Sequence, residues 1–298
     1  MASRVSALAA VAAVACGVAT TSAAQETSPF PRGWIVFSAD TDRGIFCCDL
    51  FKIRTDGTGL RRLAAAHSGD YPAFAPNGRR VAFPFARGIF TVNLDGSGRR
   101  RLTNGYDEAP AYSPDGKRIA FLRGFDLYVM RADGREQRRL RRGFGAESRL
   151  SWTPDGKSLV VSVSAGAYDP IYLDTLDART GRIEKQTLLQ DATGEENPGS
   201  AGGALLSPDG RTVVFTGHKP TCADCDPAYA LYRKQLPRGP VRHVCDVCSA
   251  DSWSADSHAI AWGGNREVHL RLLRDGRTMT VPVGGHVYSV VSVALQPR

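Results

Sequence analysis

The chain has 298 residues, of which 42% are hydrophobic and 23% charged, and its formal net charge is +8. This length is typical of one all-β domain and leaves no room for a second domain of ordinary size. The positive charge suits an anionic partner, but the basic runs are not interleaved with stacking aromatic residues, which argues against nucleic acid.

Residues 1–24 have the pattern of a secretory signal peptide. One charge, Arg4, precedes an apolar run rich in Ala and Val, and Ser22-Ala23-Ala24 is a cleavage site of small residues. We expect cleavage after Ala24, a disordered lead-in over residues 25–32, and a periplasmic or extracellular mature chain without a transmembrane segment. Two alternatives stay open, lipidation at Cys16 in a weak lipobox and an uncleaved anchor.

A four-residue turn motif recurs along the rest of the chain. Ser113-Pro114-Asp115-Gly116 combines a φ-fixing Pro, an Asp that bonds its own backbone and a Gly free to take positive φ, so it predicts a tight turn. The related turns are Ala75-Pro76-Asn77-Gly78, Thr153-Pro154-Asp155-Gly156, Ser207-Pro208-Asp209-Gly210 and the degraded Ser254-Ala255-Asp256-Ser257. They lie about 40 to 55 residues apart, which brackets the roughly 40 to 50 residues of a propeller blade.

The stretch around the best-preserved turn predicts a four-stranded antiparallel sheet. A strand before Ser113 is followed by strands at Ile119–Phe121 and Leu127–Val129, a second turn at Asp133-Gly134 and a fourth strand ending at Leu140. Such a sheet cannot bury both faces alone, so copies of it must pack together. The sequence therefore predicts a ring of blades over residues 33–298.

One blade is split between the two ends of the chain. Gly33–Phe37 matches the second strand of the repeat, with no first strand before it, and Val293-Ala294-Leu295 matches the missing first strand. We predict a six-bladed propeller of four-stranded blades, closed when the C-terminal strand joins the N-terminal blade. Closure removes the exposed sheet edges that an open array would carry.

The repeat resembles that of the TolB-like β-propeller family, which reads Ser-Pro-Asp-Gly, Lys, any residue, Ile-Ala-Phe. Ser113–Phe121, Asp126–Val129, Trp152–Lys157 and Leu102-Thr103 carry the likeness, which spans roughly residues 33–297. The resemblance implies the propeller fold and a protein or envelope-polymer partner. Propellers with this repeat also occur as peptidase accessory domains and carbohydrate-lyase scaffolds. TolB itself has an α/β domain before its propeller, and what that domain does is not carried over.

Arginine runs recur at equivalent positions of the first three blades. They are Arg61-Arg62, Arg99-Arg100-Arg101, and Arg138-Arg139 with Arg141-Arg142. We expect them on the outermost strands, where charge prevents edge-to-edge pairing of sheets. The alternative is a basic arc that binds an anionic envelope polymer or lipid headgroups.

Six cysteines follow the leader, and we expect all of them on one face of the ring. They are Cys47, Cys48, Cys222, Cys225, Cys245 and Cys248. Export favours disulfides among them. The last four form two Cys-x-x-Cys pairs with zinc-ribbon spacing, so a structural zinc site is an alternative, and redox activity is a third. The connectivity of the disulfides stays open.

Acidic residues precede several first strands and should gather near one mouth of the central channel. The candidates are Asp70, Asp107, Glu147 and Asp251, with His286 before the closing strand. Convergent carboxylates could hold a cation or a basic partner segment. Alternatively, each Asp bonds the local backbone before its strand.

We found no motif of a known enzyme class. The sequence lacks a Gly-x-Ser-x-Gly elbow, a His-Glu-x-x-His zinc motif and a phosphate-binding loop, and its six His have no ligand spacing. Trp34, Trp152, Trp253 and Trp262 are expected in the core between sheets. We therefore predict a monomeric binding or scaffold propeller without a cofactor. The alternative is a hydrolase or carbohydrate lyase with its site in the channel mouth.

Overall fold

The computed structural model describes residues 28–41, 48–65, 71–143, 149–163, 170–190, 203–218, 229–246 and 250–297. Within these ranges the chain forms strands and turns, and no helix among them is long and apolar enough to cross a membrane. The strands pair into six antiparallel sheets of four strands each. Each sheet is one blade, and the blades are numbered here in chain order.

Strands are given from the centre of the ring outward. Blade 1 contains β24 (Val287–Leu295), β1 (Trp34–Thr41), β2 (Cys48–Arg54) and β3 (Arg61–Ala64), and blade 2 contains β4 (Ala73–Phe74), β5 (Arg80–Pro84), β6 (Ile89–Asn93) and β7 (Arg100–Arg101). Blade 3 contains β8 (Asp107–Tyr112), β9 (Arg118–Arg123), β10 (Asp126–Arg131) and β11 (Arg138–Arg141), and blade 4 contains β12 (Leu150–Trp152), β13 (Ser158–Val163), β14 (Ile171–Asp177) and β15 (Ile183–Gln190). Blade 5 contains β16 (Leu205–Leu206), β17 (Thr212–His218), β18 (Tyr229–Gln235) and β19 (Val241–Cys245), and blade 6 contains β20 (Ser252–Trp253), β21 (Ala259–Gly264), β22 (Glu267–Leu272) and β23 (Thr278–Pro282).

The split blade closes the ring as predicted. β24 pairs with β1 in a register that sets Leu295 opposite Ile35 and Val293 opposite Phe37. The hydroxyl groups of Ser38 and Ser292 lie 2.7 Å apart across this pair. β24 begins at Val287 rather than at Val293, because two bulges let it follow β1 along its whole length.

The Ser-Pro-Asp-Gly turns are held by the side chains that define them. The hydroxyl of Ser113 donates to Asp115 Oδ1 at 2.6 Å and accepts the Arg118 amide at 3.0 Å, and Gly116 has a φ of 69°. This hydrogen bond to the ionised form holds the pKa of the Asp115 carboxyl below its usual value. The same pair of bonds occurs at Thr153, Ser207 and Ser254.

These turns also pack against one another around the ring. A Cβ on Gly116 would lie 3.5 Å from Pro76 Cδ, and one on Gly210 would lie 2.9 Å from Pro154 Cδ, so each Gly faces the Pro of the preceding blade. In blade 6 Ser257 takes the place of Gly, with a φ of 61°.

We call the side of the ring on which these turns lie the turn face. The opposite side, where second strands end and first strands begin, is the loop face.

The core lies between neighbouring blades. Phe37, Phe83, Phe121 and Phe215 occupy second strands and are fully buried. Each lies directly opposite an aromatic residue of the third strand, and the Phe121 and Tyr128 rings, for example, are stacked 5.5 Å apart. The hydrophobic pattern of the second strand is therefore that of a strand buried on both faces.

Two details differ from the expected core. Trp152, Trp253 and Trp262 are buried as predicted, but Trp34 is only half-buried. Lys52 and Arg54 lie over its ring, with Lys52 Nζ 4.3 Å and Arg54 Cζ 4.6 Å from the centroid. Phe30, in the segment predicted as a lead-in, packs against the core of blades 1 and 6. The packed part of the chain thus begins before Gly33.

Candidate functional site

The first strands surround a central channel with a cavity of about 400 Å³. Its lining is largely apolar and runs from the turn face, where the prolines of the repeated turns meet, to the loop face, where Tyr71, Arg149 and Asp251 lie. The prolines of this ring are Pro76, Pro114, Pro154, Pro208 and Pro297. A cavity of this kind is where a ligand site is first sought.

The polar groups of the channel wall join neighbouring blades. The indole of Trp152 donates to the Ala111 carbonyl at 3.0 Å, and that of Trp253 donates to the Leu205 carbonyl at 3.1 Å. The hydroxyl of Ser252 accepts the Leu295 amide at 3.0 Å. These bonds satisfy groups on the inner sheet edges, so the wall supports the ring as well as lining a cavity.

One ion pair crosses the channel at its loop-face end. Arg149, before blade 4, extends its guanidinium to Asp251, before blade 6, with 2.7 Å between Arg149 Nη2 and Asp251 Oδ1. The same guanidinium lies 4.1 Å from the ring centroid of Tyr71, before blade 2. Arg149 therefore ties together three alternate blades, and we call Arg149, Asp251 and Tyr71 the cross-channel cluster.

The carboxylate of this cluster is buried and well supplied with partners. Burial raises the pKa of the Asp251 carboxyl, while Arg149 and the backbone amides of Gly263 and Val293 act in the opposite direction. Gly263 N lies 3.2 Å from Asp251 Oδ2. Sequence reasoning included Asp251 but missed Arg149. The sequence did contain a signal that could have indicated Arg149: it lies directly before a first strand, where other blades carry an acidic residue.

The predicted channel-mouth residues do not form one cluster among the described residues. Asp251 lines the channel, whereas Asp107 is buried beside Arg123, with 2.6 Å between Asp107 Oδ1 and Arg123 Nε, and His286 is exposed on the loop face. Asp70 and Glu147 lie outside the described residues. No group of three His, Cys, Asp or Glu residues suited to a metal ion occurs in the part of the chain that the structure describes. The cation site stays a prediction.

Both described cysteines lie at the loop-face ends of their strands, as the sequence predicts. Cys48 begins β2, with its Sγ 3.1 Å from Asp40 Oδ1, and Cys245 ends β19. Cys47, Cys222, Cys225 and Cys248 lie outside the described residues, so the connectivity and the zinc alternative stay predictions.

We expect reduction to lower the melting temperature without releasing metal. Each disulfide that closes a loop should stabilise the fold by roughly 2 to 4 kcal/mol. Zinc bound by Cys222, Cys225, Cys245 and Cys248 would instead be released by chelator or acid, at about one metal per chain. Intact mass after alkylation, with and without reductant, distinguishes the two. Native thiols that all alkylate, with no metal present, would contradict both.

The arginine runs lie on the outermost strands of blades 1 to 3, as predicted, except that Arg99 directly precedes β7 and Arg142 directly follows β11. Several are engaged within the fold: Arg62 pairs with Asp49, Arg139 pairs with Asp126, and Arg138 donates to the carbonyls of Ala178 and Arg179 in blade 4. These contacts support a structural role in edge protection and blade packing for this part of the basic surface.

The most exposed aromatic residues of the described chain share one face of the ring. Tyr106 is 64% exposed, Phe125 62%, Tyr288 58% and Tyr71 38%. Tyr71 and Tyr106 precede first strands, Phe125 joins β9 to β10, and Tyr288 lies near the start of β24. All four are therefore on the loop face, the face that also carries the cross-channel cluster.

No protein-family model matches the sequence, and no curated protein matches it either. Among solved structures, TolB from Acinetobacter baumannii superposes with a TM-score of 0.71 over 89% of this chain and 67% of that chain, at 20% sequence identity. A chain of a nidogen/laminin complex superposes with a TM-score of 0.65 over 89% of this chain and 100% of its own length, at 12% identity. Kuenenia stuttgartiensis hydrazine synthase gives a TM-score of 0.58 over 83% of both chains, at 15% identity.

At these identities the likeness concerns the fold. The six four-stranded blades, the ring closed by the C-terminal strand and the superposition on TolB together show a six-bladed β-propeller with the fold of the TolB propeller.

Proposed function

We propose that the protein is an exported, monomeric and non-enzymatic binding propeller whose partner docks on the loop face. The partner is a protein or an anionic envelope polymer. The gathering of Tyr71, Tyr106, Phe125 and Tyr288 on that face carries the proposal. Large exposed aromatic residues are enriched at interaction sites, because they bury much apolar area on binding.

The comparisons and the leader support this proposal without deciding the partner. TolB has the same fold, and a second similar chain belongs to a complex of two proteins, nidogen and laminin. The signal-peptide pattern of residues 1–24, with cleavage after Ala24 or lipidation at Cys16, supports a periplasmic or extracellular location. The same fold in hydrazine synthase leaves an enzyme as the alternative.

One observation favours that alternative. Asp251 lines the channel cavity, and burial raises the pKa of its carboxyl, as occurs in many catalytic acids. A hydrolase or carbohydrate lyase could use such a group. However, Asp251 is held by Arg149 at 2.7 Å, so a catalytic role would require this ion pair to open.

The proposal is tested by affinity capture from envelope extract. We expect the mature protein to retain a specific partner, and expect Phe125→Ser with Tyr288→Ser to lose it, because both side chains are exposed on the loop face. Leu60→Ser with Val241→Ser is the matched control, since these exposed apolar residues lie on the turn face. Mass spectrometry identifies the retained material. Equal capture by all three proteins, or capture lost only in the control, would contradict docking on the loop face.

A further inference from the structure

Blade 2 and the residues after it carry an unusually one-sided charge. Residues 71–106, all of them described, contain six arginines and one acidic residue, Asp95. The arginines are Arg79, Arg80, Arg87, Arg99, Arg100 and Arg101. Most of the chain's net charge of +8 therefore lies in this one segment.

Three of these arginines alternate with aromatic rings along a continuous strip, an interleaving that was not expected from the basic runs in the sequence because the rings come from other strands and loops. Arg99 Cζ lies 4.2 Å from the ring centroid of Phe85, and Arg101 Cζ lies 5.8 Å from that of Phe90. Arg87 Cζ lies 4.9 Å from the centroid of the exposed Tyr106 ring. The Gly124 amide, next to Phe125, donates to the Tyr106 carbonyl. We call Arg87, Arg99, Arg101, Tyr106 and Phe125 the arginine strip.

The charges of the strip are not balanced within the described part of the chain. Arg101 donates to the carbonyls of Thr103 and Arg87, which are neutral acceptors, and Arg87 and Arg99 contact rings. In the neighbouring blades, by contrast, Arg62 and Arg139 pair with carboxylates. Burial of part of its side chain lowers the pKa of Arg99, although the residue as a whole is exposed. A carboxylate brought to this group would meet an unbalanced positive charge at the surface.

A cleft beside the strip offers room for an acidic side chain. Its volume is about 410 Å³, and its walls include Arg101 and Arg123, with residues 102–105 and Gln137 completing the lining. Arg123 is bound to the buried Asp107 but keeps a third of its side chain exposed. Arg101 and Arg123 already use Nε and Nη2 for hydrogen bonds within the fold, so an Asp or Glu side chain in this cleft would be bound through their remaining N–H groups.

We infer that the arginine strip and its cleft bind an acidic segment of a partner protein. Charge complementarity requires an acidic occupant. The exposed rings of Tyr106 and Phe125 favour a polypeptide, because they need apolar side chains as partners, and Arg and Tyr are the residues on which protein interfaces most depend. This inference rests on the proposed function and names the chemistry of the partner.

The test measures binding of a fluorescein-labelled Glu-rich peptide containing Leu residues to the mature protein by fluorescence anisotropy. Arg87→Gln with Arg101→Gln removes two charges of the strip, and we expect it to weaken binding by at least about tenfold. Arg182→Gln with Arg238→Gln removes the same charge from exposed positions of blades 4 and 5, and should change binding by less than about twofold, since distant charges are screened by salt. Phe125→Ala should weaken binding at physiological salt, where charge alone contributes less.

The outcomes separate this inference from the proposal on which it rests. Equal weakening by both double variants would mean that the peptide senses only net charge, and would overturn the inference. The inference would also be overturned if a polygalacturonate oligomer bound in a way that depends on the strip while the peptide did not bind. If Arg101→Gln unfolds the protein, Arg87→Gln with Phe125→Ala, both exposed, replaces it. A partner captured from envelope extract whose binding is unchanged by the strip variants would leave loop-face docking standing and reject the acidic segment.

Discussion

A chain that ends at His286 is expected to aggregate rather than to fold. It lacks β24, whose Val287, Val290, Val293, Ala294 and Leu295 are all buried. Burial of a Val or Leu side chain contributes about 1.5 to 3 kcal/mol, so the lost contacts rival the 5 to 15 kcal/mol by which a whole domain is stable. The deletion also opens the ring and leaves the inner edge of β1 unpaired.

The control for this experiment is a chain that ends at Gln296. It keeps β24 and the Gln296 side chain, which accepts the Trp34 amide at 3.0 Å and donates to the Gly78 carbonyl at 2.9 Å. We expect it to remain soluble and to melt cooperatively. Size-exclusion chromatography and thermal melting compare the two chains. A soluble, cooperatively melting chain that ends at His286 would refute closure of the ring by β24.

Replacing Arg149 with Met should destabilise the fold by about 3 to 5 kcal/mol at neutral pH, because it leaves a buried carboxylate without its counter-charge. Asp251 has only 4% of its side chain exposed, so water cannot compensate for the loss. Urea unfolding measures the effect. Arg142→Met, at an exposed position of the same loop, is the control and should change stability by less than about 0.5 kcal/mol.

The pH dependence of the Arg149→Met variant provides a second readout. Burial already raises the pKa of Asp251, and removal of Arg149 should raise it further. The folded variant then binds a proton that the unfolded chain does not yet hold, so its stability should rise as the pH falls from about 7 to about 5. The additional change Asp251→Asn should remove this dependence. A destabilisation below about 1 kcal/mol, independent of pH, would show that the ion pair is not a structural tie.

The fold could be predicted because its signals are local. The Ser-Pro-Asp-Gly turns carry their own hydrogen bonds, between Ser113, Asp115 and Arg118 for example, so the sequence motif and the geometry coincide. The split blade could be predicted because the first strand of the repeat is missing before Gly33 and its match, Val293-Ala294-Leu295, lies at the other end of the chain. Trp34 departs from the repeat because Lys52 and Arg54 cover its ring, a contact that the strand pattern does not specify.

The candidate site was less predictable because its contacts are not local. Arg149 and Asp251 are separated by 102 residues in sequence, and only the curvature of the ring brings them together. Asp107 was expected at the channel mouth, but the antiparallel register sets it opposite Arg123, and the resulting ion pair holds it within blade 3. That pair could have been predicted from the hairpin around Ser113, since the turn fixes which residues face each other.

The split blade also determines which face of the ring points away from a support to which one end of the chain is attached. β1 starts and β24 finishes on the turn face, where the amide of Trp34 meets the side chain of Gln296. A support attached close to either of these strand ends would therefore lie on the side of the proline ring. With β1 eight residues long, the exposed tyrosines of the loop face would stand about 25 Å above that support and face away from it.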